Sequence, residues 1–334
     1  MAMVLGIDGG GTQTQACIVD ETGRVLGMAS AGPANFQSIG VEQATANVGE
    51  AERLARAAAG IGERRYDAVF IGLAGAGTEA DRAAVLPFLR ELNLTSPRTL
   101  RLDHDMRIAL AGALAGRPGI VVIAGTGSAV FGMNEAGETA RACGWGSAFD
   151  DPGSGYDLGR RAISELIAAQ DGRAEMSAMS KAVALALRAS AGSVGEGDGS
   201  PGVRAAVLSL GPTGVGRAKV GALAPVVIEA AVAGDAAARA VVREAVKGLA
   251  AGVKAVAGRL HFQVKSIEAA IVGGLARGGK GYLRPLHEAM LRAAPSVKVT
   301  PAELPPVLGA ALLALRSIDA NVGPRVVEAM KKSM

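Results

Sequence analysis

The chain contains 334 residues, which suits two domains of roughly 150 residues, each large enough to bury a hydrophobic core. Lysine and arginine exceed aspartate and glutamate by only four, 35 against 31, and they are dispersed along the chain, which argues against a nucleic-acid-binding protein. The sequence opens without a basic segment and an apolar signal region, and it has no run of about 18 uncharged apolar residues, so we expect a cytoplasmic protein with no membrane contact.

The first predicted element is a short apolar strand, residues 4–7, which runs into an acid, three glycines and a hydroxyl: Asp8, Gly9, Gly10, Gly11 and Thr12. Glycines let the backbone approach an anion closely, and successive N–H groups can form an anion-binding nest. Asp8 would repel a phosphate unless a divalent cation, which we expect to be Mg²⁺, lay between them. The loop therefore predicts a phosphate site with a metal at Asp8, although an ordinary tight turn explains the same glycines.

The residues after this loop form another strand, so the loop joins the two strands of a hairpin. Residues 13–19 alternate polar and apolar side chains, residues 21–23 make a turn, and residues 25–29 are a third strand. The P-loop and the dinucleotide-binding fingerprint both place a helix after their glycines, and neither motif is present. Cys17 lies inside the second strand, where we expect it to be a small buried hydrophobic residue.

A later strand, residues 100–105, ends in two acids that flank a histidine: Asp103, His104 and Asp105. Sites in α/β proteins gather outside the carboxyl ends of strands, so Asp105 is our candidate for a base that accepts the proton of an attacking hydroxyl. Capping of the next helix explains an aspartate at this position equally well. We expect His104 and Asp103 to be structural.

The opening pattern occurs a second time along the chain. Residues 119–124 are a predicted strand, residues 129–133 are the returning strand, and the loop between them consists of Gly125, Thr126, Gly127 and Ser128. Residues 68–72 and 269–272 are a further pair of matching strands that each run into glycines, which are Gly273 and Gly274 in the second copy. Two related domains are therefore predicted, and their donor loops could hold the two ends of a polyphosphate.

The segment 144–155 contains the only tryptophan of the chain, Trp145, close to Asp150 and Asp151. An aromatic face with nearby carboxylates suits a polyhydroxylated ring, because carboxylates accept hydrogen bonds from adjacent hydroxyls. Trp145 is equally well explained as an anchor in the hydrophobic core.

Helical spacing of apolar residues predicts helices over residues 41–59, 108–115, 156–169 and 305–317, and a largely helical segment over residues 176–257. A glycine-rich break, residues 191–202, is expected to be a mobile loop within that segment. We expect one domain at residues 1–115, joined by a C-terminal helix within residues 305–330. The other domain would comprise residues 116–304, with the helical insertion at about 176–257.

Several ordered motifs together resemble a known family. They are GIDGGGT from Gly6, LDHDMRIAL, IAGTGS, GWGSAFDDPGSGYDLGRRA, IVGGLARG and ELPPVLGAALLAL, and they cover nearly the whole chain. This combination resembles the BadF/BadG/BcrA/BcrD ATPase family, and within it the branch of N-acetylglucosamine and glucosamine kinases.

The resemblance implies an α/β fold of two ribonuclease-H-like (actin- and hexokinase-like) domains, each a mixed sheet flanked by helices, with ATP and sugar in the cleft between them. It implies that Asp8 serves Mg²⁺ and that Asp105 is the base that activates the sugar 6-hydroxyl. The implied ATP contacts are Gly9, Gly10, Gly11, Thr12, Gly125, Thr126, Gly127, Ser128, Gly273 and Gly274. The implied sugar contacts are Asn35, Gly144, Trp145, Gly146 and Asp151. It also implies a homodimer that phosphorylates an amino sugar.

Two features bear on the choice of branch. Such sugar kinases usually carry a glutamate where this chain has Pro152, which leaves the identity of the sugar open. The other branch consists of ATPases that activate radical dehydratases and hold an iron–sulfur cluster through cysteines, and Cys17 and Cys143 have neither the number nor the spacing for it. The alternative function is therefore a nucleotide-dependent switch without a sugar substrate, which the sequence favours less than a kinase.

Overall fold

The computed structural model describes residues 1–190, 200–211 and 214–333, and these residues contain two five-stranded β-sheets. The strands of the first sheet are β1 (Met3–Gly9), β2 (Thr14–Asp20), β3 (Val25–Ala31), β4 (Ala68–Leu73) and β5 (Leu100–His104). The strands of the second sheet are β6 (Gly119–Ala124), β7 (Ser128–Met133), β8 (Thr139–Ala142), β9 (Ile267–Val272) and β10 (Val297–Val299). Every predicted strand is confirmed, and β8 and β10 are strands that the sequence analysis did not predict.

The helices of the described residues are α1 (Phe36–Ile39), α2 (Val41–Ala58), α3 (Glu79–Glu91), α4 (Asp105–Ala113), α5 (Gly155–Gln170), α6 (Ala178–Ser190), α7 (Ser200–Ser209), α8 (Gly214–Gly221), α9 (Ala224–Ala233), α10 (Ala236–Arg259), α11 (Leu283–Ala293), α12 (Pro306–Arg316) and α13 (Pro324–Lys332). Short 3₁₀ turns cover Gly274–Arg277 and Gly279–Gly281. The predicted helices are confirmed. Residues 191–199 of the predicted glycine-rich loop lie outside the described residues, and residues 200–202 belong to α7 and not to a loop.

The two sheets have the same order of equivalent strands. The first order is β3-β2-β1-β4-β5 and the second, read in the matching direction, is β8-β7-β6-β9-β10. In the first sheet, β1 pairs antiparallel with β2 and parallel with β4, so the sheet is mixed. In the second, β7 and β8 are antiparallel, whereas β9 and β10 are parallel. The predicted α/β class and the predicted duplication are therefore confirmed.

The chain divides into two compact units. The first unit consists of Met1–Val121 with Pro301–Met334, and the second consists of Val122–Thr300. In the first unit, β1 is buried on both faces: Leu5 and Ile7 pack in one hydrophobic cluster with residues of α2, and Val4 packs in another with residues of α12. Such two-sided burial is typical of a strand inside a helix-flanked sheet.

Glycines let α12 approach both β1 and α4 closely. A Cβ atom on Gly6 would lie 2.4 Å from the backbone nitrogen of Ala311, and one on Gly309 would lie 2.1 Å from the carbonyl oxygen of Ile108. Neither position leaves room for a larger residue, because backbone atoms cannot move aside as a side-chain tip can. The contact fixes α4 against the sheet, and α4 begins at Asp105.

In the second unit, a buried tyrosine supports the segment that precedes α5. Tyr282 is fully buried, and its hydroxyl donates a hydrogen bond to the carbonyl oxygen of Gly153. Gly153 itself packs on α10, where an added Cβ would lie 2.7 Å from a methyl carbon of Leu249. The chain around Gly153 is therefore held from two sides.

Within the described residues, no single helix has the length and apolar character needed to cross a membrane. One pair of helical stretches, Gly216–Ala233 and Ala236–Arg259, meets these criteria of length and composition when taken together, and it is bent by 119°.

Candidate active site

Two carboxylates lie at the carboxyl edge of the first sheet. Asp8 is in register with Gly72 of β4, which is in register with Asp103 of β5, and Asp105 follows β5 directly. Burial, and then the negative charge of Asp105, raise the pKa of Asp8 to about 7. Both effects disfavour the charged form of Asp8, and a divalent cation beside the two carboxylates would counteract them. The site therefore fits the predicted metal.

The cap of α4 is His104, not Asp105. The His104 Nδ1 accepts a hydrogen bond from the backbone N–H of Arg107 at 3.2 Å, whereas Asp105 is the first helical residue and its Oδ1 accepts from the N–H of Met106 at 2.9 Å. The explanation of Asp105 as the cap is therefore wrong. Burial is the main effect that lowers the pKa of His104, which favours the neutral ring and leaves Nδ1 able to accept.

Asp103 has a structural setting, as expected from the sequence. Its Oδ1 accepts a hydrogen bond from the backbone N–H of His104 at 2.8 Å and lies 3.7 Å from the Nη1 of Arg82. Arg82 in turn donates to the carbonyl oxygen of Ala76 at 3.0 Å. Of the two acids that flank His104, Asp103 is thus tied to the chain around β4 and α3.

The first glycine loop is held at its base and open at its tip. The N–H of Gly10 donates to the carbonyl oxygen of Gln13 at 2.9 Å, and the carbonyl oxygen of Gly9 accepts from the N–H of Ala74 at 2.8 Å. Gly11 and Thr12 are exposed, and a Cβ on Gly11 would meet no atom within 4 Å. The space beside Gly11 is therefore available to a ligand.

Asn35 lies at the same edge of the sheet. The residue before it, Ala34, donates its N–H to the carbonyl oxygen of Gly10 at 2.9 Å, so the chain at Asn35 is attached to the glycine loop. Asn35 caps α1, with its Oδ1 accepting from the N–H of Gln37 at 3.2 Å. Gly75, which has a φ of +91°, leaves room for this side chain, since a Cβ there would lie 2.8 Å from the Asn35 Oδ1. The structure thus brings Asn35, Asp8 and Asp105 to one edge.

The second glycine loop lies at the N-terminus of α5. The first two N–H groups of that helix, those of Gly155 and Tyr156, donate to the carbonyl oxygens of Gly125 and Thr126 at 2.7 and 3.2 Å. The positive end of the helix dipole therefore lies beside the loop, which favours an anion there. Thr126 is exposed, whereas Ser128 is buried and its Oγ donates to the carbonyl oxygen of Pro152 at 2.7 Å. In this structure the Ser128 hydroxyl holds the loop in place.

Gly273 and Gly274 adjoin this loop. Gly273 has a φ of +103°, and a Cβ on it would lie 2.4 Å from the carbonyl oxygen of Ala124 at the end of β6. The backbone nitrogen of Gly274 lies 3.9 Å from the position that a Cβ on Gly125 would occupy. The glycines after β6 and after β9 are therefore neighbours, as the sequence analysis required for a shared nucleotide site.

Trp145 is 74% exposed, so the explanation of this residue as a core anchor is wrong. The guanidinium carbon of Arg141 lies 4.9 Å from the ring centroid, a distance suited to a cation–π contact. Gly144 and Gly146, on either side, have φ values of +77° and +103°, which suit glycine. The two glycines make the turn that presents the aromatic ring to solvent.

Asp151 is almost completely buried and is paired with a residue that the sequence analysis missed, Arg217 of α8. The Arg217 Nη2 lies 3.0 Å from the Asp151 Oδ2. Burial raises the pKa of Asp151, and Arg217 and the backbone N–H groups of Gly146 and Ser128 oppose that rise. The carboxylate thus joins the tryptophan turn to the second glycine loop.

Arg217 also lies against the second glycine loop. A Cβ on Gly127 would be 2.8 Å from the Arg217 Nη2 and 2.9 Å from the Asp151 Oδ2. The Arg217 Nε is buried without a hydrogen-bond partner in the described part of the chain. No signal in the sequence marks Arg217, since it sits in a helical segment 66 residues from its acidic partner.

Metal binding at Asp8 would need oxygen ligands from a bound phosphate and from water. Among residues 1–190, 200–211 and 214–333, no group of three or more histidine, cysteine, aspartate or glutamate residues is arranged to hold a metal ion. Mg²⁺ is commonly held by one or two carboxylates together with substrate phosphates and water, so Asp8 suffices for that type of site and leaves Asp105 available as a base.

The fold is that of the actin- and hexokinase-like class of proteins. A structure from Chromobacterium violaceum, provisionally described as an N-acetylglucosamine kinase, is 27% identical, with a TM-score of 0.71 over 94% of this chain and 99% of its own. A ROK family glucokinase from Streptomyces griseus, in complex with glucose and AMPPNP, shares the fold at 21% identity and a TM-score of 0.54, over 94% of this chain and 98% of its own.

Residues 5–314 match the family model of the BadF/BadG/BcrA/BcrD ATPase family, and the chain belongs to this family. The N-acetylmuramic acid/N-acetylglucosamine kinase of Clostridium acetobutylicum is 28% identical over 319 residues, which cover 96% of this chain and all of that one. A glucosamine kinase of Vibrio cholerae is 34% identical over 172 residues, 52% of this chain and 57% of that one.

Proposed function

We propose that this protein transfers the γ-phosphoryl group of ATP to the 6-hydroxyl of an amino sugar, N-acetylglucosamine or glucosamine. The observation that carries the proposal is the pair Asp8 and Asp105 beside an open glycine loop, close enough that the charge of Asp105 contributes to the raised pKa of Asp8. Relatives named as kinases of these sugars, at 28% and 34% identity, support the choice of acceptor.

Asp105 is proposed to accept the proton of the sugar hydroxyl and to hold its oxygen in line with the terminal phosphate. Its position at the start of α4 supports this role, because close packing of α4 on α12 fixes the backbone that carries the carboxylate. Rigid placement matters here, since phosphoryl transfer is catalysed mostly by positioning and by electrostatic stabilisation.

Asp8 is proposed to hold Mg²⁺ through water, and bound Mg²⁺ would neutralise charge on the phosphates. The loop residues Gly9, Gly10, Gly11 and Thr12, and also Gly125, Thr126 and Gly127, are proposed to border the phosphates. The exposed residues Gly11, Thr12 and Thr126 are proposed to donate N–H or hydroxyl groups to phosphate oxygens. Gly273 and Gly274 are proposed to border the adenosine, and Ser128 is proposed to contribute by shaping its loop. The exposed tip of the first loop and the helix N-terminus at the second support these roles.

For the sugar, Asn35 and Trp145 are proposed as direct contacts, together with the backbone of Gly144 and Gly146. The half-buried amide of Asn35 and the exposed ring of Trp145 support this. Asp151 is proposed to position residues 144–146 and not to contact the sugar itself, because its carboxylate is already paired with Arg217.

A coupled assay of ADP release across N-acetylglucosamine, glucosamine, N-acetylmuramic acid and glucose tests the proposal. We expect ADP release to depend on added sugar and to be fastest with one of the two proposed amino sugars. ATP hydrolysis that ignores every sugar and responds to a protein partner would instead identify the nucleotide-dependent switch.

We also propose a cytoplasmic homodimer that binds neither nucleic acid nor membranes. The homodimer is supported by the family resemblance, and the other three proposals by the composition of the chain. Analytical ultracentrifugation of the purified protein tests the dimer, and fractionation of cells that express it tests the location.

A further inference from the structure

A second candidate binding surface lies in the second unit, in the groove between α10 and α11. The groove has a volume of about 830 Å³ and is bordered by parts of α9, α10, the turn Gly279–Gly281 and α11. None of the proposed kinase site residues lines it. We call it the basic groove, and its cationic residues are Arg239, Arg243, Lys247, Lys254, Lys280, Arg284 and Arg292.

The positive charge of the basic groove is only partly compensated. Of its lining residues in the described part of the chain, Glu288 is the single acid, and it lies 2.9 Å from Arg284 and 4.0 Å from Arg292. Outside the lining, Glu244 lies 2.6 Å from Lys247. No ion pair is found in the described residues for Arg239, Arg243, Lys254 or Lys280. Seven cations and one acid give the lining residues a net charge of +6, whereas the whole chain carries a formal net charge of only +4. The cations are dispersed along the sequence, and the fold gathers seven of them on one surface.

The cations form two rims. Arg239, Arg243 and Lys247 follow one another at intervals of four residues along α10, which places them on one face of that helix about 6 Å apart. Arg284 and Arg292 are eight residues apart on α11, so they share one face of that helix. This face forms the opposite rim of the groove. A ligand in the groove would meet positive charge on both sides, and the weaker charge would be along α11, where Glu288 pairs with both arginines.

Between the rims, the groove is aliphatic. Its uncharged lining residues are Ala231, Val232, Val242, Val246, Ala250, Ala251, Gly281, Pro285, Ala289 and Ala293. Val232 is 63% exposed and is the most prominent apolar side chain. None of these side chains is aromatic or carries a hydroxyl or amide, so the groove lacks both stacking platforms for bases and neutral donors for phosphates or sugars.

Other occupants fit this surface less well. A membrane presents a broad plane, which contacts the rims but not a concave floor. A second copy of this chain, docked through the same surface, would oppose cationic rims to cationic rims. The matching chemistry is an elongated ligand with aliphatic groups on one side and carboxylates on both flanks.

We propose that the basic groove binds an acidic amphipathic helix of a partner protein. Its aliphatic stripe would lie on the floor near Val232, and its carboxylates would pair with the two rims. This surface is independent of the proposed kinase site, so the two proposals can fail separately.

The test uses the full-length protein and a labelled synthetic peptide of about 20 residues, with leucines at helical spacing and glutamates on both flanks. Fluorescence anisotropy should show at least about tenfold tighter binding than for a peptide of the same composition with scattered leucines. Binding should weaken as salt increases, because the rims are exposed.

Charge reversal locates the site. The double variant Arg243→Glu/Lys254→Glu, and separately Lys280→Glu on the turn before α11, should each weaken peptide binding about tenfold or more. Val232→Ser should weaken it about threefold. Lys181→Glu and Lys265→Glu, which change exposed lysines of the same unit outside the groove, should leave binding unchanged. Circular dichroism checks that each variant folds. If the double variant does not fold, binding to Lys280→Glu alone tests the location of the site.

Three results would overturn the proposal. Equal binding of the two peptides would exclude recognition of an amphipathic helix. Tighter binding of long-chain polyphosphate, or of phosphatidylglycerol vesicles, would assign the groove to another class of ligand. Conversion of a dimer to a monomer by Arg243→Glu/Lys254→Glu in analytical ultracentrifugation would identify the groove as a contact between copies of this chain.

Discussion

The glycine loops that follow β1 and β6 occupy equivalent positions in two sheets of the same strand order, yet the charged groups beside them differ. The first loop adjoins the two carboxylates of Asp8 and Asp105. The second adjoins the ion pair of Arg217 and Asp151 and the N-terminus of α5. A duplicated scaffold has therefore supplied backbone donors twice, while each copy has acquired its own electrostatics.

The two units also differ at β5 and β10, the strands that lie two positions from β1 and β6 in their sheets. In the first unit, β5 ends in His104 and is followed by Asp105. In the second, the equivalent β10 is followed by Thr300, whose backbone N–H and Oγ both donate to the carbonyl oxygen of Ala269. At these equivalent positions, a carboxylate suited to accept a proton occurs in the first unit alone.

The largest effect is expected from Asp105→Asn, which removes the proposed proton acceptor. Sugar-dependent ADP release should fall by about 10²–10⁴-fold, while binding of a non-hydrolysable ATP analogue stays within about threefold. Asp103→Asn is the matched control, because that acid is two residues away and already bound within the protein. Equal losses of sugar-dependent ADP release in the two variants would contradict a catalytic role that is specific to Asp105.

Asp8→Asn should lower turnover by about 100-fold and raise the Mg²⁺ concentration required, since the carboxylate proposed to hold the metal is lost.

The substitution Asp8→Asn should also alter the stability of the ligand-free protein. The pKa of Asp8 is raised to about 7 from an ordinary value of 3.8, so ionisation in the folded protein opposes folding. The free energy of unfolding should therefore fall as pH rises from about 4 to 7, by at most about 4 kcal/mol.

Urea unfolding of the ligand-free protein at pH 5 and pH 8 measures this dependence. Asp8→Asn should lose the part of it that Asp8 causes, and should be the more stable protein at pH 8. An unchanged pH dependence would mean that Asp8 ionises normally, and the first loop would then be less distinct from the second.

Gly11→Ala tests whether the first loop approaches an anion. Its Cβ would meet no protein atom within 4 Å, so the variant should fold normally, but it should bind ATP about tenfold more weakly because the Cβ occupies the space of the ligand. Gly62→Ala, also free of contacts in the first unit, is the control. Calorimetric titration with ATP measures both, and unaltered affinity in Gly11→Ala would exclude close approach at this glycine.

The smallest effect is expected from Arg217→Gln in the second unit. The variant leaves the buried Asp151 carboxylate without its cation, so KM for ATP and for the sugar should both rise about threefold, with a stability loss of about 1–3 kcal/mol. Arg173→Gln breaks an exposed ion pair of the same unit, with Asp171, and should have little effect. If Arg217→Gln changes stability alone, Arg217 serves only to hold Asp151.

Local patterns predicted most of the fold, and the reasons are visible in the structure. Strands such as β1 and β4 are apolar runs that end in glycines, and both signals depend on a few adjacent residues. The two strands that were not predicted, β8 and β10, have four and three residues, too few to establish an alternating pattern.

The site was less predictable where it depends on burial or on distant contacts. Whether His104 or Asp105 caps α4 is decided by the backbone of a single residue. A tryptophan in a sequence does not reveal whether its side chain is buried. The turn formed by Gly144 and Gly146 determines that Trp145 is exposed. The pair of Arg217 and Asp151 joins segments 66 residues apart, which no local motif encodes.

The close contact of α12 with β1 has a consequence for how the protein is made. The Cys17 thiol donates to the carbonyl oxygen of Val307, 290 residues further along the chain, and α12 covers one face of β1. Until α12 has been synthesised, that apolar face of β1 has no covering helix. The first unit therefore completes folding only after the second unit and α12 have been synthesised, and a fragment that ends at Val121 should expose this face and aggregate.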